Sequence, residues 1–252
     1  MTEQYTPGHT TNAVDLMSKR TLESHGAFFI PHLRDGMSVL DCGFGPGTIT
    51  CDIAEHIPDG RVVGIDTDES QMGVATQNAE TRGLENVVFR RASVYELPFP
   101  AGSFDAVFSH VVLEHLKEPA TAITEFHRVL KPEGSLGVCS PDWGGCLFAP
   151  PSAQLTTAID EYKDLQIANG GDVYVGRKLS RLLDDTGFED TAMHARYEVY
   201  ESLELIGEYL AVQLEDASET AHASTLRRWA AGPNGMFAQA WVSCTGRISA
   251  SA

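Results

Sequence analysis

Basic residues are scarce: 18 Lys and Arg stand against 35 Asp and Glu, a formal net charge of −17. So acidic a surface repels phosphate backbones and anionic lipids, which argues against nucleic-acid and membrane partners. Cysteine is scarce too. The five, Cys42, Cys51, Cys139, Cys146 and Cys244, form no C-x-x-C pair and are odd in number. Neither a disulfide framework nor a zinc cage is expected, and a reducing cytoplasm is the natural location. No apolar run reaches the length of a transmembrane helix. The opening MTEQYTPGHT lacks the basic-then-apolar order of a signal peptide. The nine histidines are scattered, with no i, i+4 pair around an acid, so no metal is expected. Repeats and low-complexity segments are missing as well.

What is present is 252 residues, 42% of them hydrophobic, enough for one α/β domain with a substantial core. Strand-like and helix-like patterns alternate. Strands are expected at 37–41, 61–66, 86–91, 104–110 and 135–140. Between them, helices are expected at 47–57, 69–82 and 119–130. In the last, Ala122, Ile123, Phe126, Val129 and Leu130 share one side. LPFPAGS (97–103) is a loop punctuated by proline and glycine. Such alternation means βαβ crossovers and a parallel sheet covered on both faces. Beyond residue 141 the pattern is looser. Helices are expected at 152–169, 176–186, 201–216 and 219–230, and strands at 191–200 and 236–247.

The stretch VLDCGFGPGTIT (39–50) sets glycines at 43, 45 and 47 just after the first strand. A dinucleotide fingerprint, G-x-G-x-x-G, needs glycine at position 48, where Thr48 stands. Asp41 precedes the first glycine by two residues. A carboxylate there is unfavourable beside a pyrophosphate and favourable beside an ammonium. S-adenosylmethionine carries an ammonium and a sulfonium and no phosphate. Asp66 ends the second strand, where an acid can accept both hydroxyls of a ribose. Its alternative reading is an acid at the start of the next helix.

With VLDCGFGPG, VVGIDTDESQM, ASVYELPFPAGSFDAVFSHVVLEHL and HRVLKPEGSLGV in order, residues 39–138 resemble a class I S-adenosylmethionine-dependent methyltransferase. The likeness is to the branch acting on small molecules, including quinone and sterol precursors and secondary metabolites. YTPGHT and RTLESHGAFFIPHL resemble the leader helices of that branch. The resemblance implies a doubly wound, mostly parallel, Rossmann-like α/β sheet of seven strands with a helical cap over the C-terminal strand ends. One methyltransferase domain would span 1–252: leader helices 1–36, core 37–141, cap helices and last strands 142–252. The cofactor would be S-adenosyl-L-methionine, the partner a small-molecule acceptor, and a homodimer is plausible.

Carried over by position, Gly43 and Gly45 approach the methionine part, and Asp41 faces its ammonium. Asp66 holds the ribose, Thr67 lies beside the adenine, and Ser93 and Val94 sit at its amino edge. Ser109 and His110 end strand four beside the methyl group. Ser93 departs from the aspartate more usual there, and an uncharged hydroxyl accepts more weakly.

Methyl transfer needs alignment more than acid–base machinery. His110 and His115 are the catalytic candidates, since histidine can take a hydroxyl or amine proton. In a helical reading His115 sits one turn from Val111 and serves equally as a structural hydrogen-bonder. Glu114 either orients a histidine or caps a loop. Candidates for substrate contact are Tyr5, His9, Trp143 and Tyr174, each also readable as packing or, for the first two, as chain terminus. Glu201, Glu204 and Glu208 read as a solvated acidic face, with a cationic acceptor the weaker alternative. The competing functions are an S-adenosylmethionine-binding protein with non-methylating chemistry, a non-catalytic scaffold, and a nicotinamide-dependent oxidoreductase.

Overall fold

The computed structural model describes residues 4–8 and 11–250. Its strands are β1 (Ser38–Cys42), β2 (Arg61–Asp66), β3 (Val87–Arg91), β4 (Phe104–His110), β5 (Leu130–Pro141), β6 (Leu147–Ala149), β7 (Glu189–Val199) and β8 (Met236–Arg247). The described helices are α1 (Thr11–Ser18), α2 (Leu22–His25), α3 (Thr48–His56), α4 (Glu69–Thr81), α5 (Pro119–Val129), α6 (Ala153–Ala168), α7 (Leu179–Asp185), α8 (Leu203–Asp216) and α9 (Thr220–Ala230).

One sheet runs β3-β2-β1-β4-β5-β8, with β6 and β7 both paired to β8. The pairings from β3 to β5 are parallel, and all those of β8 are antiparallel. Ala238 partners both Leu147 and Val199, so β6 and β7 flank β8 on opposite sides. The sheet therefore has eight strands, not seven. The extra one, β6, is a three-residue return beside the start of β8, too short to show a period in sequence.

The alternation of side chains along each strand makes the layers. Val39, Val62, Ala106 and Phe108 pack with Ile49 and Ile53 of α3, and with Leu22 and Phe29. Their neighbours Leu40, Cys42, Val63, Ile65 and Val107 face the other way, onto Ile123 and Phe126 of α5 and Leu179 and Leu183 of α7. Burial on both faces explains why these strands read as continuous apolar runs. A third cluster joins α6, α8 and α9 with Leu16, Trp143 and Phe237 above the sheet. Side-chain caps begin several helices: the Asp68 carboxylate accepts from Ser70 N at 2.7 Å, and Ser152 Oγ from Leu155 N at 3.1 Å. No helix among the described residues is long and apolar enough to cross a membrane.

Phe126 is fully buried between α5 and the sheet. Phe126→Ala is expected to cost about 3–5 kcal/mol, seen as a lower urea midpoint.

Candidate functional site: two adjoining cavities

The turns after β1, β2 and β4 meet at the carboxyl ends of the parallel strands. Gly43 has φ +85°, which glycine adopts without strain. A Cβ there would come within 2.2 Å of Val112 Cγ2. Gly43 N donates to Ile65 O at 2.7 Å, tying the first turn to β2. Gly45 N donates to one carboxylate oxygen of Asp66 at 3.0 Å, and Asp68 N to the other at 3.0 Å. Val111, a β-branched residue, holds φ +60° while its amide donates to Cys139 O at 2.8 Å. A conformation so unfavourable for valine persists because the surroundings impose it.

These turns enclose a cavity of about 320 Å³, within the size range of small-molecule sites. Asp41, Gly43, Gly45, Asp66, Thr67, Ser93, Val94, His110 and Tyr5 all line it. The Ser93 hydroxyl accepts from Tyr95 N at 3.2 Å. Thr50 Oγ1 donates to the buried Asp41 carboxylate at 2.6 Å. Burial pushes Asp41 up to about 7, with Thr50 opposing and the charge of Asp66 adding to it. His110 stacks on Trp241 with centroids 5.2 Å apart, and its Nε2 is buried without a partner. Burial, then the charge of Arg20, holds its ring well below the ordinary histidine range.

A second, smaller cavity of about 30 Å³ shares Arg20, Val111 and His115 with the first. Trp143, Tyr162, Tyr200, Tyr209 and Trp241 wall it, with Glu114, Gln166 and Gln239. Ser140 Oγ donates to Glu114 Oε2 at 2.9 Å, while Glu114 Oε1 is buried without a partner. Burial lifts Glu114 to about 7. His115 belongs to a short 3-10 turn (Leu113–His115) and not to an α-helix, so the one-turn relation to Val111 does not arise. Neither buried ring nitrogen has a hydrogen-bond partner among the described residues, and Nε2 lies 3.8 Å from Glu114 Oε1. Its ring meets Tyr5 edge-on with centroids 4.7 Å apart. Burial, then Arg20, pushes His115 down to about 3.

Other expected site residues fall elsewhere. Ser109 lines neither cavity. At that register its hydroxyl turns toward β1 and donates to Cys42 O at 3.0 Å. Tyr174 also lies outside both cavities, with the Arg177 guanidinium 5.1 Å above its ring. His9 lies outside the described residues. Glu208 of α8 pairs with Arg227 of α9 at 2.6 Å, and Glu201, Glu204 and Glu208 line neither cavity, Glu201 lying just before the helix. Arg20, Met17, Tyr162 and Trp241 were not singled out from the sequence, although all line a cavity. No spacing rule connects such distant segments.

Residues 40–138 match the family described as a methyltransferase domain. A Streptomyces fradiae protein of 37.1 kDa, uncharacterised and encoded in transposon TN4556, is 33% identical over 79% of this chain and 59% of its own length. A demethylmenaquinone methyltransferase of Geobacillus stearothermophilus is 36% identical over 43% of this chain and 46% of its own. The chain thus spans about half the length of these curated relatives. Among solved structures, a phosphoethanolamine N-methyltransferase of Haemonchus contortus with S-adenosyl-L-methionine superposes with TM-score 0.59 at 19% identity, covering 86% of this chain and 50% of that one. The cyclase SpnF superposes with TM-score 0.58 at 24% identity, covering 94% and 79%.

The fold and its strand-end turns are Rossmann-like. Residues 40–138 match a methyltransferase domain, and the chain shares the fold of solved S-adenosylmethionine-dependent methyltransferases. The lining fits that cofactor: Asp66 is fixed by two amides at the cavity, and Asp41 is a buried acid that forms no ion pair among the described residues.

A cationic ammonium favours the ionised form of Asp41, so cofactor binding releases a proton near neutrality. Below about pH 7, S-adenosylhomocysteine affinity is expected to fall by up to about tenfold per pH unit. Calorimetry across pH checks this, and Asp41→Asn should flatten the profile.

Proposed function

We propose that the protein transfers the methyl group of S-adenosylmethionine to oxygen, nitrogen or carbon of a small organic acceptor, of quinone-, sterol- or secondary-metabolite-like character. The observation that carries this is the roughly 320 Å³ cavity at the strand ends, where Gly43, Gly45, Asp66 and Ser93 face one end and Arg20, Val111 and His115 lead into the aromatic roof. The aromatic side chains beside that junction, Trp143, Tyr162 and Tyr209, favour a planar or hydrocarbon-rich acceptor, although the recess they wall is only about 30 Å³, too small to hold an acceptor as it stands. The relative that acts on demethylmenaquinone supports a small-molecule substrate. The five unpaired thiols support a reducing compartment as its location.

Bound S-adenosylmethionine supplies a methyl group activated by the sulfonium. The chain aligns the acceptor with that methyl and keeps water out. Gly43 and Gly45 admit the methionine part, Asp66 takes the ribose, and Ser93 and Val94 take the adenine edge. The roof residues Trp143, Tyr162 and Tyr209 close over the acceptor. Where the acceptor carries a proton, Glu114 is the better base. Burial brings its carboxyl close to neutral, whereas His115 is held far below it. The likeness to a cyclase is one of fold alone, so chemistry beside an unreacted sulfonium is the second outcome to watch.

Calorimetric titration with S-adenosylmethionine and NADH comes first. Binding of the former alone, lost in Asp66→Ala, is expected; binding of NADH alone would sink the proposal. Methyl-labelled donor is then offered with phenols, quinols, amines and carboxylic acids. With a protic acceptor, Glu114→Gln should slow label transfer by about 100-fold or more, whereas an unaffected rate would remove Glu114 from the mechanism.

A further inference from the structure

S-adenosylmethionine carries a carboxylate beside its ammonium, and none of the residues so far assigned answers it. Among the described residues, the cofactor cavity is lined by the acids Asp41, Asp66 and Asp68, by imidazoles that burial keeps neutral, and by one permanent cation, Arg20. Among the described residues Arg20 forms no ion pair, and its guanidinium lies over the Trp241 ring, 5.4 Å from the centroid. The backbone there is pinned on both sides. Arg20 N donates to Met17 O at 3.1 Å, and Leu22 N donates to Asp52 Oδ2 of α3 at 2.8 Å. Helix α3 springs directly from the glycine turn, so Arg20 is registered against the part of the cavity where the methionine end belongs.

We propose that Arg20 holds the carboxylate of the donor's methionine part and makes the site select nucleosides that keep it. The proposal rests on reading the larger cavity as the S-adenosylmethionine site. A guanidinium presents a planar fork that matches a carboxylate with two hydrogen bonds. Asp41 and Arg20 then receive the two ends of a zwitterion, each meeting its opposite charge. The geometry also brings Arg20 to the wall shared with the smaller cavity, which makes an anionic acceptor the rival claimant for the same fork.

The test uses the full chain and defined nucleosides, read by calorimetry. S-adenosylhomocysteine has the carboxylate, and 5′-methylthioadenosine lacks the whole amino-acid end. Arg20→Met should weaken S-adenosylhomocysteine about 10- to 100-fold and leave methylthioadenosine within about twofold. Arg20→Lys, a point charge without the fork, should lie between. Decarboxylated S-adenosylmethionine completes a double-deletion cycle: wild type should discriminate against it, and Arg20→Met should not. Unchanged S-adenosylhomocysteine affinity in Arg20→Met overturns the proposal and frees Arg20 for the acceptor. An equal loss for both nucleosides also overturns it, because Arg20 would then act by propping Trp241. If Arg20→Met fails to fold, the same cycle run between wild type and Arg20→Lys decides the matter. Failure of folded wild type to bind any of these nucleosides overturns the cavity reading itself, a result distinct from the loss of selectivity alone.

Discussion

The approach of Val112 to Gly43 is the constraint on which the ligand end of the molecule depends. No side chain larger than hydrogen fits between the turn after β1 and the turn after β4. Because these turns touch, Val111 is held at a backbone angle that valine avoids, and the following 3-10 turn sets Glu114 and His115 against the second cavity. The same glycine turn hands its Gly45 amide to Asp66 at the end of β2. Three strand ends are thereby locked together, and both cavities inherit their shape from that lock. Preorganisation of this kind lets an enzyme act by alignment.

Burial then decides the electrostatics. The chain is strongly acidic, yet at the two cavities burial pushes the carboxyls of Asp41 and Glu114 up and the imidazoles of His110 and His115 down. Away from the cavities, acids such as Glu208 and Asp142 are paired with arginine. Low local dielectric makes each remaining charge count for more, which is why one guanidinium at the junction influences so many neighbours. A ligand that is cationic at one end and anionic at another suits this setting better than a phosphate does.

Much of the architecture was legible in the residue order. Strands β2, β4 and β8 lie where apolar runs between glycine and proline punctuation put them, and the buried side of α5 is the one its spacing names. Strand β5 starts earlier than expected, because the KPEG segment stays in the sheet through a bulge opposite Phe104 and Ala106. Strand β6 escaped, since three residues carry no period. At the site, Asp41, Gly43, Gly45 and Asp66 were readable because a tight turn and the end of the next strand express themselves within a few residues. Ser109 was misjudged for the opposite reason: a strand-end hydroxyl faces either the ligand or the neighbouring strand, and only the packed sheet chooses.

Sequence by itself determined the strand–helix alternation, the glycine turn and the acids that flank it, since φ/ψ preference and side-chain period are local properties. Tertiary structure alone decided that Arg20, Glu114, Tyr162 and Trp241 converge on one wall, that Tyr174 does not join them, and that burial raises the acids and lowers the imidazoles there. Those outcomes depend on contacts and desolvation between segments distant in the chain, and no local pattern encodes them.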